Sequence, residues 1–327
     1  MAEEKRLTKF NIDFMGKRKI FGVLSVLLVI ASVFAFFTKG LKYGVDFRGG
    51  AEVQVNFQEP VEIEKIRQTL EGQDFEGVEV QRFGDPSRNE YLMKVPVSQE
   101  EQGGLNEVAA MIGEAFRTSF SETPFEISRV DIVGSKAGKE LRFSGFQALF
   151  WAILAIFIYV TLRFDSRFAP GAVIALAHDA LLVIFVWVIF GKEFSLQTVA
   201  AILAVIGYSV NDTVVIFDRI RETNELTPGT PLIDVMNRSI NETLGRTLIT
   251  SVTTIFVVAS LLFLGGEIIA DFALALLVGN IAGVYSTIYV ASNVTLVMDR
   301  FYQKKGSSSK KKARRSRRPQ AFPEVNS

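Results

Sequence analysis

The sequence predicts an α-helical polytopic membrane protein: six transmembrane helices, with one extracytoplasmic α+β domain between the first and the second. Three observations carry this. Six apolar stretches, each close to the roughly 20 residues that cross a bilayer, contain only Asp179 and Asp212 of the chain's 36 Lys and Arg and 35 Asp and Glu. The basic residues that flank them gather on one side. Between the first two stretches, about 100 residues switch from continuous apolar character to alternating and helical patterns.

Residues 1–19 are basic (Lys5, Arg6, Lys9, Lys17, Arg18, Lys19) and are read as a cytoplasmic N-terminus. The first span covers 20–38. Its apolar run exceeds a signal-peptide core and ends in Phe36-Phe37-Thr38-Lys39, without a small-x-small cleavage site, so it is expected to stay in place. Residues 39–142 are the extracytoplasmic domain. There 51–57 alternate as a strand, 60–70 carry Val61, Ile63, Ile66 and Leu70 at helical spacing after Pro60, and 77–83 alternate again. A strand-like 91–97, a helical 100–120 and a strand-like 125–133 follow. That order, β-α-β-β-α-β, is the split βαβ of ferredoxin-like domains.

Spans two to six are placed at 143–162, 168–190, 196–217, 247–264 and 272–297. The connection at 218–245 holds Leu232, Val235, Met236, Ile240 and Leu244 at helical spacing, which predicts an amphipathic helix lying at the membrane surface. Asp218, Arg219, Arg221 and Glu222 alternate in sign and are read as a solvated helix end. Residues 298–327 form a basic tail. Arg163, Arg167, Arg219, Arg221 and the tail fall on one face, whereas the other short turns offer only Lys192. An even number of spans puts both termini on one side, and the positive-inside rule makes that side cytoplasmic.

Composition removes several function classes. The absence of cysteine excludes disulfides, thiolate metal sites and thiol catalysis, and a single histidine leaves no multi-histidine metal centre. Gly134-Ser135-Lys136-Ala137-Gly138-Lys139 is one residue short between its glycines for a Walker A loop and is followed by Glu140. No cofactor, metal or enzymatic activity is expected, and any energy input comes from a partner ATPase or an ion gradient. The basic tail suits anionic lipid or topology more than specific nucleic acid.

An ionisable residue inside the bilayer costs a few kcal/mol and commonly marks a transport path or proton relay. In span four, Tyr208, Ser209, Asn211 and Asp212 interrupt an apolar helix, and Tyr208, Ser209 and Asp212 share one face. Interhelical packing needs only a hydroxyl or an amide, so a titratable acid at 212 favours a relay over glue. At the start of span five, Arg246 and Thr250 begin a polar stripe. Arg246 suits a fixed positive partner for Asp212 and equally an anchor reaching to the interface. His178-Asp179 in span three is a second polar pair, able to pack or to pass a proton.

Four motifs resemble the SecF family of protein translocase subunits. They are Gly44-Val45-Asp46-Phe47-Arg48-Gly49-Gly50, the stretch from Arg163 to His178-Asp179, the stretch from Tyr208 to Glu222, and Asn241-Glu242-Thr243-Leu244-Gly245-Arg246-Thr247. Arg48 stands where the family has a small or hydroxylated residue. The resemblance implies a six-span half of an RND-like assembly, completed by SecD and acting with the SecYEG channel. It implies YajC-like and YidC-like membrane proteins as further partners, a preprotein substrate, and use of the proton-motive force late in export across the inner membrane. It also implies H+ as coupling ion, Asp212 as the proton-responsive acid and Arg246 as its partner. Two other classes share the charged spans. An RND-like small-molecule exporter would need two large extracytoplasmic domains and twice the spans; a structural scaffold of a channel would not need a titratable Asp212.

Overall fold

The computed structural model describes residues 10–72, 75, 77–83, 86–96 and 105–303. Lys5, Arg6, Lys9 and the tail from 304 onward lie outside the described residues. The first long helix, α1 (Arg18–Lys39), turns Val23, Leu27, Ile30, Phe34 and Phe37 outward, an apolar surface that water would not tolerate and lipid would.

The extramembrane domain follows as β1 (Lys42–Tyr43), α2 (Val45–Arg48), β2 (Gly50–Phe57), α3 (Ile63–Glu71), β3 (Glu79–Phe83), β4 (Glu90–Pro96), α4 (Leu105–Ser119) and β5 (Phe125–Val133). Four strands form an antiparallel sheet in the order β3-β4-β2-β5, the ferredoxin-like arrangement that the β-α-β-β-α-β order predicts. Alternation along β2 sends Ala51, Val53, Val55 and Phe57 into the core beneath α3 and α4, where they meet Ile66, Leu70, Ile112 and Phe116. Glu52, Gln54 and Asn56 take the other face. Tyr91, also buried, donates its hydroxyl proton to the Val61 carbonyl (2.6 Å) and accepts from the Val61 amide (3.0 Å).

The chain then returns through α5 (Ser135–Arg163), α6 (Ala169–Phe190), β6 (Glu193–Phe194), α7 (Leu196–Leu226), α8 (Leu232–Leu264) and α9 (Glu267–Ser286). A π-helical turn (Thr287–Ala291) follows α9, and helix resumes to residue 303. Six helices are thus long and apolar enough to cross a membrane. Helix α6 stops at Gly191, whose left-handed φ of 63° closes it.

Two boundaries differ from the sequence reading. Helix α5 begins at Ser135, inside the stretch assigned to the extracytoplasmic domain. The connection at 218–245 contains no separate surface helix: α7 runs on to Leu226, and Leu232 opens a helix continuous with span five. Its apolar positions Val235, Met236, Ile240 and Leu244 are buried against Phe14, Met15, Phe217 and Ile220, and not laid on lipid. Amphipathic spacing marks a buried face but not what buries it. The helix end at Asp218 and Arg219 is likewise not simply solvated. Arg163 pairs with Asp218 (2.9 Å), and Arg219 reaches across to Glu242, which also takes Arg238 (2.9 Å). The N-terminal segment is strapped here, the Asn241 side chain accepting from the Ile12 amide (2.8 Å) and Asn237 from those of Phe14 and Met15.

Helices α7 and α9 pack most tightly. A Cβ on Gly279 would fall within the Val205 side chain, and one on Gly283 would lie 3.1 Å from Ser209 Oγ. The two glycines and the two residues they meet are each four apart, so small-residue notches on α9 receive one face of α7.

The extramembrane domain is stitched to the start of α7. Strand β1 pairs in parallel with β6, and the Asp46 carboxylate accepts from the Leu196 amide (3.0 Å), adding to the cap that Ser195 and Thr198 make for α7. Beside this seam Lys42 bonds Glu79 of the domain and lies 3.6 Å from Glu193. Burial, helped by the adjacent Glu79 carboxylate, raises Glu193 from 4.5 to about 7 against the pull of Lys42. The seated domain therefore holds a proton that a released Glu193 would not, and seating should strengthen as pH falls from about 7 towards 4.5. With no native cysteine to interfere, spin labels on Arg88→Cys and Phe190→Cys should report a distance that lengthens above about pH 7 and loses its pH dependence in Glu193→Gln. A distance indifferent to pH in the otherwise unaltered chain would refute this.

Candidate functional site

The polar residues of α7 point three ways. Asp212 is buried at 4% exposure, and no ion pair closer than 4.0 Å forms at its carboxylate among the described residues. The charge that acts on it is that of Arg246 on α8. Arg246 itself is exposed on the outer surface of the helix bundle, as is Asn211. Thr250 returns its hydroxyl to its own helix, donating to the Arg246 carbonyl (3.0 Å), whereas Tyr208 accepts from Thr254 across the α7–α8 contact (3.2 Å). The Arg246 charge thus acts on Asp212 without an ion pair closing between them.

Ser209 turns the other way, towards α6. Asp179 is completely buried, and its carboxylate joins three spans. Oδ2 accepts from Ser209 Oγ on α7 (2.7 Å) and from Ser286 Oγ on α9 (2.8 Å), and His178 Nδ1 lies 3.2 Å from Oδ1. The His178 ring stacks on Tyr285 at 5.8 Å between centroids, and Tyr285 in turn donates to the Phe21 carbonyl on α1 (2.7 Å). One residue beyond Ser286, Thr287 opens the π-turn and shares a hydrogen bond with Thr213 on α7 (2.9 Å).

Of the sequence-derived residues, the structure gathers His178, Asp179 and Ser209 into one network. It leaves Asp212 and Arg246 unpaired with each other, and Asn211 and Thr250 at the rim. Ser286, Thr287 and Tyr285 went unread in the sequence. Hydroxyls are common in spans, and the amides Asn280 and Asn293 were the signal that span six has a polar side. No cluster of three or more His, Asp or Glu among the described residues is placed to hold a metal.

A ferredoxin-like domain outside six spans, with carboxylates held where lipid should be, defines a membrane transport subunit. Residues 113–300 match the family model described as protein export membrane protein SecD/SecF, C-terminal, and residues 34–61 match the SecD/SecF GG motif. The chain belongs to this family, on its SecF side, and is a multi-pass accessory subunit of protein translocation. It is 41% identical over 290 residues to protein translocase subunit SecF of Calditerrivibrio nitroreducens, covering 88% of this chain and 94% of the relative. With SecF of Pseudomonas aeruginosa it shares 38% over 287 residues, covering 88% and 91%. The crystal structure of SecDF, a translocon-associated membrane protein from Thermus thermophilus, superposes with a TM-score of 0.74 at 35% identity over 89% of this chain. A super-membrane-facing form of SecDF gives 0.70 at 34% over 93%. This chain spans 39% and 41% of those two longer chains.

Proposed function

We propose that the chain works beside a SecD half in a bacterial inner membrane, with both termini cytoplasmic, and uses the proton-motive force to draw preproteins outward late in export. SecYEG is the channel it serves, with YajC-like and YidC-like proteins as neighbours. The observation that carries the coupling is Asp212: a buried carboxylate in span four that feels Arg246 but is not clamped by it. Protonating Asp212 removes that attraction and lets α7 and α8 repack. Because Asp46 caps α7, such a shift reaches the extracytoplasmic domain that meets emerging substrate. The exposed stripe of Asn211, Arg246 and Thr253 interrupts an otherwise apolar exterior and suits a protein partner better than lipid, as a SecD half would provide. One proton moving through 100 mV carries about 2.3 kcal/mol, enough to bias a two-state equilibrium.

The reading is tested by release of a translocated preprotein from vesicles with and without a proton gradient. Arg246→Lys keeps the charge but not the planar guanidinium. It should lower gradient-dependent release about tenfold, and release at the unsubstituted rate would reduce Arg246 to an interfacial anchor.

A further inference from the structure

We propose that His178 and Asp179 form a second proton-holding site, in which one proton is shared along the Nδ1–Oδ1 axis so that the buried pair is net neutral. Its part in transport rests on the proton-coupled reading above; its protonation does not.

Asp179 has no exposed surface and His178 is 3% exposed. An isolated carboxylate at such depth is among the costliest groups a span can hold, and two hydroxyl donors do not cancel its charge. Among the described residues, four helices pack against α6, and of these α5 carries no Asp, Glu, Lys, Arg or His between 143 and 162. Helix α7 offers Ser209, with Asp212 one turn further on, and α9 offers Ser286 with Tyr285 beside it; α1 reaches the site only through Tyr285. None of these is a cation, and His178 is the one ionisable partner within 4.0 Å of the Asp179 carboxylate among the described residues. A neutral imidazole beside an ionised carboxylate would leave a full negative charge uncompensated. Placing one proton on the pair, at Nδ1 with the carboxylate ionised or at Oδ1 with the ring neutral, removes it. His178 Nε2 is buried without a partner, so the ring's only hydrogen-bonded nitrogen is the one that faces Asp179.

Packing alone does not call for an acid here, since an amide would accept from both serines equally well. What an acid adds is a charge that can change, and the donors that would feel the change sit at movable places. Ser286 is the last residue before the π-turn, a local distortion frequently found at functional sites. Ser209 precedes Asp212 by one turn and rests in the Gly283 notch. Loss of the shared proton would pull on α7 and α9 together, beside the acid already assigned to coupling.

The chain has a single histidine, so 15N-histidine labelling of this chain in its assembled complex gives one unambiguous imidazole signal. The expected result at neutral pH is a doubly protonated ring, or a neutral ring accompanied by an infrared carboxylic-acid band that vanishes in Asp179→Asn. A neutral ring with an ionised Asp179 overturns the proposal. In vesicles, Asp179→Asn should lower gradient-dependent release about tenfold or more, and unchanged release overturns the transport role. Should Asp179→Asn fail to assemble, His178→Gln, which keeps the carboxylate with both serines, carries the same expectation. If the unsubstituted complex shows no gradient dependence, the proton-coupled reading has failed, and the spectroscopic result still decides the shared proton.

Discussion

Replacing Asp212 by Asn should reduce preprotein release in energised vesicles to the level seen without a gradient. The amide has nearly the same shape and remains neutral at every pH, so the substitution removes the switch and leaves the packing of α7 in place. The most the gradient can contribute through one charge at 100 mV is about 2.3 kcal/mol, or about fifty-fold in a two-state equilibrium. The expected loss is of that order, confined to the gradient-dependent component. Assembly and ATP-driven entry into the channel should be unaffected, because no hydrogen bond of Asp212 to another helix holds the bundle together. Release that stays fully gradient-dependent in Asp212→Asn, in a complex that assembles normally, would move the coupling elsewhere.

Gly279→Val should damage the fold severely. The added Cβ alone overlaps Val205, which is 2% exposed, and two further methyl groups enlarge the overlap. Overpacking of this kind costs about 1–3 kcal/mol, and here it falls on the contact that seats Ser209. Assembled complex recovered from membranes should drop sharply, with a lower melting temperature for what remains. Because the clash lies with one side chain, Val205→Ala should relieve most of it, removing the overlaps with both Val205 methyls and leaving the contact at 2.9 Å to Cβ: Gly279→Ala with Val205→Ala should assemble better than Gly279→Ala alone. Equal yields from the two would show that α9 yields by shifting its backbone.

The membrane spans were legible because the cost of placing charge in lipid is large and local, so the charge-free stretches declare themselves without tertiary information. The α+β domain was legible for a similar reason: period-two alternation in β2 and β5, and helical spacing in α3, follow from which face each element buries. The run from Leu232 to Leu244 was read correctly as amphipathic and assigned to the wrong surroundings, since lipid and the Phe14–Met15 strap present the same apolar demand. Within the site, Asp212, Arg246, His178 and Asp179 stood out as expensive residues in spans, but expense carries no direction. That Ser209 would turn from Asp212 towards Asp179, and that Ser286 would complete the triangle, depended on the rotation of three helices about their axes.

By itself, then, the sequence determined the number of spans, the place and topology of the inserted domain, the family and the short set of ionisable residues that lipid would penalise. Each follows from local composition or spacing, which the folded chain cannot change. Only the tertiary structure decided which of those residues meet. The notches at Gly279 and Gly283 set how closely α7 and α9 approach, and that approach turned Ser209 and Ser286 onto one carboxylate while Asp212, one turn along α7 from Ser209, stayed outside that network. The energies are short-ranged and directional, so a rotation of a single residue along either helix would have built a different site from the same side chains.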